Sequence, residues 1–166
     1  MKTEKTSKRI EIREATVEDA ALILGFITDL AIYEKAQDQV TATETDIRHS
    51  LFASDSTATA LICSIESEPV GFAVYFFSYS TWLGKNGLFL EDLYVSPRHR
   101  GSGAGKALLK HMAKIALSND CGRFEWNVLE WNEPAIEFYK ALGAIPQEEW
   151  VGYRLTGDAL TALANG

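Results

Sequence analysis

The sequence predicts an α/β sandwich in which a mixed sheet carries helices on both faces. Strand-like and helix-like patterns alternate along all 166 residues, with no linker, internal repeat or low-complexity segment between them. Apolar residues make up 46% of the chain and charged residues 23%, as in ordinary soluble globular proteins. Because this length supports a proper core, we expect a single domain over residues 1–166.

The first part of the chain predicts a strand and two helices. RIEIREA (residues 9–15) alternates between apolar and polar residues as a half-buried strand does. Thr16 and Asp19 resemble a capping box that opens a helix, and Thr43 with Asp46 repeats the signal before a shorter helix. The apolar face of the first helix is predicted to contain Leu22, Ile23, Phe26, Ile27, Leu30 and Ala31.

Strands and helices continue to alternate in the remainder. TATALICSIES and VGFAVYFFSYS predict a β-hairpin whose turn lies at Glu68-Pro69, and LFLEDLYVSP predicts the next strand. GRFEWNVLEW predicts another strand, and NEPAIEFYKAL a helix that Gly143 ends. EEWVGYRLTG (residues 148–157) has the alternation of a last strand.

Residues 98–117, RHRGSGAGKALLKHMAKIAL, join a strand to a helix through a glycine-rich turn. Leu108, Met112 and Ile115 recur at helical spacing directly after the glycines. The free N–H groups of a first helical turn carry a partial positive charge and attract anions. Gly101, Gly103 and Gly105 let an anion approach the backbone, and Arg98, Arg100 and Lys106 add positive charge. The pattern indicates a phosphate-bearing ligand, although the glycines alone are equally compatible with a simple connection.

Two familiar nucleotide motifs do not fit this turn. A P-loop requires G-x-x-x-x-G-K-[ST], but Arg100 stands at the first glycine position and Ala107 where the Mg²⁺-binding hydroxyl is needed. A dinucleotide fingerprint requires G-x-G-x-x-G, and its third glycine comes one residue early, at Gly105. The spacing therefore excludes both a P-loop and a dinucleotide fingerprint.

Charge and composition restrict the partners further. The chain has 16 Lys and Arg against 23 Asp and Glu, and the resulting net charge of −7 disfavours a nucleic-acid partner and suits a cationic substrate. Cys63 and Cys121 lack the spacing of a metal site or a disulfide framework. The start lacks the apolar segment of a secretory signal, and the longest apolar run is too short to span a bilayer. We expect a cytoplasmic protein with no membrane partner and no metal.

Several motifs together resemble the GNAT N-acetyltransferase superfamily, and within it the diamine (spermidine/spermine) and thialysine acetyltransferase branch. Arg98-His99-Arg100-Gly101-Ser102-Gly103 fits the family's cofactor motif Q/R-x-x-G-x-G/A. Four further matches occur in the family's order and extend over nearly the whole chain: YEK at 33–35, YSTWLGK at 79–85, LEDLYV at 90–95 and EWNEPAIEFYKALGA at 130–144.

The resemblance implies a mostly antiparallel GNAT-type sheet with a splayed central strand pair. It also implies that the glycine turn holds the pyrophosphate of acetyl-coenzyme A (acetyl-CoA), that no metal takes part, and that the protein is a homodimer to which EEWVGYRLTG contributes an interface strand. The cofactor contacts implied are Leu93, Tyr94, Val95, Arg98, Arg100, Gly101, Ser102, Gly103, Ala104, Gly105, Lys106, Asn132, Glu133, Pro134 and Ala135. Asn132 would also serve as an N-cap.

Two residues resemble the catalytic groups of the family. Tyr139 would protonate the departing thiolate, and the alternative is a core aromatic packed beside Phe138. Glu91 would anchor the amine or accept its proton; a solvent-facing strand carboxylate is the alternative. In a regular strand Asp92 points to the opposite face from Glu91, where it could be a structural hydrogen-bond acceptor.

The resemblance also implies an amine-binding group consisting of Tyr33, Glu34, Ser80, Glu91, Glu125 and Trp126. For Glu34 and Glu125, surface charges on a loop and a strand are the alternative. Ser80 departs from the polyamine branch, which has an acidic residue here, so a short amino-acid-like or diamine acceptor is favoured over spermine. The expected reaction is acetyl transfer to a small-molecule primary amine by direct attack in a ternary complex. A protein lysine or N-terminal acetyltransferase and a non-catalytic acyl-CoA-binding protein are the alternatives.

Overall fold

Five strands lie in one sheet in the order in which they occur along the chain. They are β1 (Ile10–Glu14), β2 (Ala58–Ile65), β3 (Glu68–Ser80), β4 (Lys85–Val95) and β5 (Arg123–Trp126). Neighbouring strands are antiparallel except for β4 and β5, which are parallel. The structure is a computed structural model and describes residues 9–166. Its sheet confirms the predicted mixed, mostly antiparallel architecture.

The helices divide between two compact units, residues 1–127 and 128–166. The first unit contains the sheet with α1 (Ala20–Tyr33), α2 (Glu44–Leu51) and α3 (Ala104–Ser118). The second unit contains α4 (Glu133–Ala141) and α5 (Gly157–Asn165). A single domain over residues 1–166 stays a prediction.

Helices cover both faces of the sheet in the first unit. Ile23 and Phe26 of α1 pack with Ile62 and Phe72 in a buried cluster on one face. Residues adjacent in a strand point to opposite faces, so Gly71, next to Phe72, opens the other face. There Gly71 pairs with Val95, and Gly105 of α3 lies against the Val95 side chain. The predicted placement of helices on both faces is confirmed.

An ion pair between exposed Arg13 and buried Asp19 fixes the entry into α1. Asp19 is 9% exposed, and both of its oxygens accept hydrogen bonds from the Arg13 guanidinium, at 2.7 and 2.8 Å. The Thr16 N–H also donates to Asp19 Oδ2 at 2.8 Å, as the capping box predicts. A short 3₁₀ turn, Val17–Asp19, precedes the α-helix. The second predicted box, Thr43 with Asp46, caps α2 in the same way.

The β2–β3 turn lies two residues earlier than the sequence predicts. Glu66 and Ser67 form it with positive φ angles of 50° and 69°, whereas Glu68 and Pro69 already belong to β3. A proline lacks an N–H, so it is tolerated at the start of a strand or near a bulge. The register of β2 and β3 shifts beside it, between Cys63 and Ser64.

The prediction of a last strand over residues 148–157 is wrong for the single chain. Residues 148–156 form neither a strand nor a helix, and α5 begins at Gly157 where the prediction had the strand end. Alternation shows that a segment could pair, but a strand forms only where another backbone takes its hydrogen bonds. No such backbone pairs with this segment in residues 9–166.

Two irregularities in β4 determine the geometry of its second half. Its parallel pairing with β5 extends only from Gly87 to Leu90, so residues 91–95 are paired with β3 alone within the described chain. The register with β3 also shifts, because Leu90 pairs with Tyr75 and Asp92 with Val74. Glu91 is thus the extra residue of a β-bulge. The shortened pairing is the splayed strand pair that the resemblance implies.

We expect Asp19→Asn to destabilise the fold in a pH-dependent manner. The Arg13 hydrogen bonds lower the pKa of Asp19 to about 2, from an ordinary value of 3.8. A lowered folded-state pKa stabilises the protein above pH 4, and this contribution disappears as the pH falls towards 2. The variant should lose about 2 kcal/mol of unfolding free energy at pH 7. Urea unfolding at pH 7, 4 and 2.5 measures the difference, with exposed Glu18→Gln as control. A deficit that is unchanged at pH 2.5 would contradict the ion-pair assignment.

Candidate active site

The glycine turn lies between the end of β4 and the start of α3. After Val95 a short 3₁₀ turn, Pro97–His99, leads into the glycines. Gly101 and Gly103 have φ angles of 76° and 93°, in the left-handed region that favours glycine. A Cβ atom added to Gly101 would meet no atom within 4 Å, so the space outside the turn is open to a ligand.

Backbone donors at this turn lack protein acceptors. Ser102 Oγ accepts a hydrogen bond from the Ala104 N–H at 3.3 Å, and the Ala107 N–H donates to the Gly103 carbonyl at 2.9 Å. Across residues 9–166, no acceptor receives the N–H groups of Gly103, Gly105 and Lys106. Three such donors at the N-terminus of a 15-residue helix fit a pyrophosphate, and the exposed side chains of Arg98 and Lys106 flank them.

Two contacts hold the Arg100 side chain in place, unlike the exposed charges of Arg98 and Lys106. Its Nε–H donates to the Val95 carbonyl at 3.2 Å, so the end of β4 holds the guanidinium. The Cζ atom lies 4.5 Å from the centre of the Tyr33 ring, within the range of a cation–π contact. The structure therefore brings together Arg100, predicted for the cofactor, and Tyr33, predicted for the amine.

Carboxylates gather beside the bulge of β4. Asp92 pairs across the strands with Val74, on the face that α1 covers, and is half-buried. Its pKa is raised from 3.8 to about 6, mainly by burial and in smaller part by the charges of Glu91 and Glu34. Burial also raises the pKa of Glu34, which directly follows α1. A cation at this acidic group would relieve the repulsion.

Asp92 is the residue that sequence reasoning undervalued. The sequence offers it only a structural role, because a regular strand would separate it from Glu91. The bulge interrupts that alternation, and no local sequence signal marks a bulge at Glu91. Only the register with β3 reveals it.

Ser80 is the last residue of β3, directly before the turn that leads to β4. It is 3% exposed, its Oγ accepts from the Leu83 N–H at 3.3 Å, and its carbonyl accepts from the Gly84 N–H at 2.9 Å. These bonds give Ser80 a structural task in the turn. Its contact with a substrate stays a prediction.

Glu125 and Trp126 lie on β5 beside Phe89 and Leu90 of β4. Glu125 forms an ion pair with Arg123 at 2.8 Å. The Trp126 ring stands edge-on to that of Phe124, with 5.0 Å between the ring centres. Their predicted role at the amine stays a prediction.

The last residues of β4 contribute to the core. Tyr94 is 5% exposed and its ring lies 6.0 Å from that of Phe26. Leu93 pairs with Ala73, and both Leu93 and Val95 are half-buried. Backbone contacts from residues 93–95 to the acetyl-pantetheine arm stay a prediction.

The second unit presents the other predicted residues on α4. Asn132 is 8% exposed and occupies the N-cap position, although its side chain makes no capping hydrogen bond to the helix. Glu133 and Pro134 open the helix, and Ala135 follows them. The N-cap position is as predicted, and a cofactor contact of these four residues stays a prediction.

Tyr139 lies near the end of α4. It is half-buried, and its ring centre lies 5.5 Å from that of Phe138. Gly143 terminates the helix as predicted, with a φ angle of 88°, and the Ala144 N–H donates to the Tyr139 carbonyl at 3.1 Å. Packing beside Phe138 is compatible with both the acid and the core-aromatic interpretation.

Residues 9–166 contain neither a membrane-spanning helix nor a metal-holding group of side chains. No helix in that range has the length and apolar character needed to cross a membrane. The same range contains no group of three or more His, Cys, Asp or Glu side chains arranged to hold a metal ion.

Comparisons with known proteins agree on one family. Residues 27–144 match the Acetyltransferase (GNAT) family. The chain is 40% identical to thialysine N-epsilon-acetyltransferase of Bos taurus, over 93% of this chain and 97% of that protein. It is 29% identical to an L-ornithine N5-acetyltransferase of Arabidopsis thaliana, over 92% and 86%. An integron cassette protein of V. cholerae has a similar structure, with a TM-score of 0.80, 28% identity and coverage of 95% and 98%. The chain therefore belongs to the GNAT family and is an acetyltransferase.

Proposed function

We propose that the enzyme transfers the acetyl group of acetyl-CoA to the primary amine of a small molecule. One observation carries the proposal. The half of β4 that pairs with β3 alone begins at the acidic residues Glu91 and Asp92 and ends at Val95, just before a turn with three N–H donors that no acceptor within residues 9–166 receives. A cation-binding group and an anion-binding turn thus flank the strand edge that β5 leaves uncovered.

The turn supplies the binding site for the cofactor's pyrophosphate. The N–H groups of Gly103, Gly105 and Lys106 donate to phosphate oxygens, and Arg98 and Lys106 contribute charge. Gly101 and Gly103 adopt positive φ angles that favour glycine, and their lack of side chains leaves room for the ligand beside the backbone. Backbone donors and fixed positive charges provide this binding without Mg²⁺.

The acidic group receives the amine. An alkyl amine has a pKa of about 10, so it arrives as an ammonium ion and must lose a proton before it attacks. Glu91 anchors the ammonium, and Asp92, whose pKa is about 6, is suited to take its proton near neutral pH, directly or through water. The amine nitrogen then bonds to the acetyl carbon as the carbon–sulfur bond breaks.

Tyr139 protonates the departing thiolate in this proposal. A phenol with an ordinary pKa of about 10 can supply the proton, since charge develops on sulfur as the bond breaks. The role rests on the resemblance of EWNEPAIEFYKALGA to the family and on the position of Tyr139 in that motif. The products are the N-acetylated amine and coenzyme A.

The acceptor we favour is a short amino-acid-like amine or a diamine. The relatives described above are named for acetylation of thialysine and of L-ornithine, both at a side-chain nitrogen. The Ser80 hydroxyl accepts a hydrogen bond from the β3–β4 turn, and a serine adds no carboxylate that could bind a long polycation. The charges of Glu34 and Glu91 both act on Asp92, so the acidic group that would receive the amine consists of these three carboxylates.

A homodimer is part of the proposal. Residues 151–156 belong to no strand in the described chain, and their exposed apolar side chains include Val151 at 76% and Tyr153 at 97%. A second copy would satisfy both the backbone and these side chains. Light scattering distinguishes a species of 18.4 kDa from one of twice that mass. The proposed location remains the cytoplasm.

A thiol-release assay tests the function. With acetyl-CoA present, we expect thialysine, L-ornithine and short diamines to release coenzyme A well above the background. Spermine should be a poorer acceptor because the acidic group is small. Preferential turnover of lysine peptides or protein N-termini would instead indicate a protein acetyltransferase. Acetyl-CoA binding without release for any amine would indicate a non-catalytic protein.

Tyr139→Phe should reduce turnover far more than binding. Only the hydroxyl is removed, so the ring should keep its place beside Phe138. We expect kcat to fall about 10²- to 10⁴-fold while the acetyl-CoA Kd barely changes, since positioned acid catalysis has that magnitude. Phe138→Leu is the control for packing and should mainly lower the Tm. A Tyr139→Phe enzyme with more than about half of wild-type kcat would exclude this tyrosine as the acid.

Asp92→Asn should stabilise the protein while impairing the amine reaction. A raised folded-state pKa adds stability at low pH that is lost as the pH rises from about 4 to about 6. At pH 7.5 the variant should therefore gain roughly 1–3 kcal/mol of unfolding free energy, and the gain should vanish near pH 4. Urea unfolding measures it, and the amine KM should rise. Exposed Glu91→Gln should give a smaller gain, and a loss of stability at pH 7.5 in Asp92→Asn would refute the burial argument.

A further inference from the structure

Arg100 connects three parts of the first unit through two contacts. Its Nε–H donates to the carbonyl of Val95, the last residue of β4. The guanidinium carbon lies 4.5 Å from the centre of the ring of Tyr33, the last residue of α1. In the sequence, Arg100 directly precedes the glycine turn, where Gly101 has a φ angle of 76°.

The end of α1 is itself a rigid position. The N–H groups of Glu34, Lys35 and Ala36 donate to the carbonyls of Leu30, Ile32 and Ala31, respectively. Lys35 has a positive φ angle of 58°. These bonds fix the direction in which the chain leaves the helix, and with it the position of Glu34.

Glu34 is electrostatically coupled to the amine-binding group. Its charge is one of the two that raise the pKa of Asp92, so its carboxylate acts at the bulge of β4. A movement of the α1 end would therefore change the acidic group. A movement of Arg100 would change the neighbouring glycine turn.

We propose that Arg100 is a positioning residue whose stacking on Tyr33 couples the amine-binding end of α1 to the acetyl-CoA turn. This inference rests on the proposed function and deepens it. With its Nε engaged by Val95 and its face by Tyr33, the guanidinium fixes the first residue before Gly101. A guanidinium can donate from Nε while its central carbon lies over the ring, an arrangement that the single nitrogen of a lysine ammonium does not reproduce.

The coupling has a reciprocal consequence. An amine that contacts Tyr33 and Glu34 favours the arrangement in which the Tyr33 ring meets Arg100, so each ligand should strengthen the binding of the other by the same factor. Loss of the Tyr33 ring should weaken acetyl-CoA binding even when no amine is present. A merely local role of Tyr33 at the amine would leave that binding unchanged.

Calorimetric titration with acetyl-CoA, without an amine, tests the proposal in a double-mutant cycle. Tyr33→Leu should weaken binding about threefold to tenfold, the range of a partly exposed cation–π contact. Tyr33→Phe retains the ring and should restore the affinity to within about twofold. In an Arg100→Met background, Tyr33→Leu should cost less than about twofold, because its partner is already absent.

Matched variants separate coupling from general damage. Arg98→Met removes a neighbouring charge of the same turn, and its effect on acetyl-CoA binding should multiply with that of Tyr33→Leu. Ile32→Ala, at a side chain that is 56% exposed at the same helix end, should leave acetyl-CoA affinity unchanged. Melting curves identify any variant that fails to fold. In that case Tyr33→Phe and Arg100→Lys replace the failed variants, and we expect weaker acetyl-CoA binding only for Arg100→Lys.

The outcomes are distinct. Effects of Tyr33→Leu and Arg100→Met that multiply independently, or an unchanged Kd in Tyr33→Leu, would overturn the coupling while leaving the proposed function intact. A wild-type protein that fails to bind acetyl-CoA would overturn the proposed function and the coupling together. The proposal is supported if the binding free-energy effects of Tyr33→Leu and Arg100→Met are non-additive while those of Tyr33→Leu and Arg98→Met are additive.

Discussion

The pairing of β4 is the constraint on which the remaining site geometry depends. β4 has a neighbour on each side up to Leu90, and beyond Leu90 its described partner is β3 alone. Pairing on both sides fixes the first half of the strand in the sheet. Release from β5 leaves one edge of the second half open, and the bulge at Glu91 changes the directions of the side chains that follow. The open strand edge and the arrangement of Glu91 and Asp92 beside it are consequences of this one change in pairing, and the glycine turn follows directly after the end of the strand.

Two opposite electrostatic environments lie at the two ends of that open segment. At its start, burial and mutual repulsion disfavour the ionised form of Asp92, which is reflected in its raised pKa. At its end, backbone N–H groups that have no acceptor within residues 9–166 favour an anion. Both environments are unfavourable to the empty protein and favourable to a bound ligand, which is typical of binding sites. By contrast, the Arg13–Asp19 pair is fully satisfied and serves the fold.

Local chemistry made much of this structure predictable. The capping boxes at Thr16 and Thr43 work within four residues, so the sequence contains both partners of each box. The glycine turn and the helix after it are likewise local, and α3 begins at Ala104, directly after the glycines. The prediction for residues 148–156 was wrong for the complementary reason. A strand depends on a distant backbone, and alternation within the segment cannot show whether one is present.

The sequence by itself determined the fold class, the family resemblance and the glycine turn between β4 and α3, because each depends on residue types at short spacing. The tertiary structure decided which of the neighbouring residues act together. Glu91 and Asp92 join Glu34 only because the β3–β4 register contains a bulge, and Arg100 meets Tyr33 only because α1 ends near the turn after β4. Residues 67 positions apart in the chain carry no local signal of their contact, since packing of the helix on the sheet creates it.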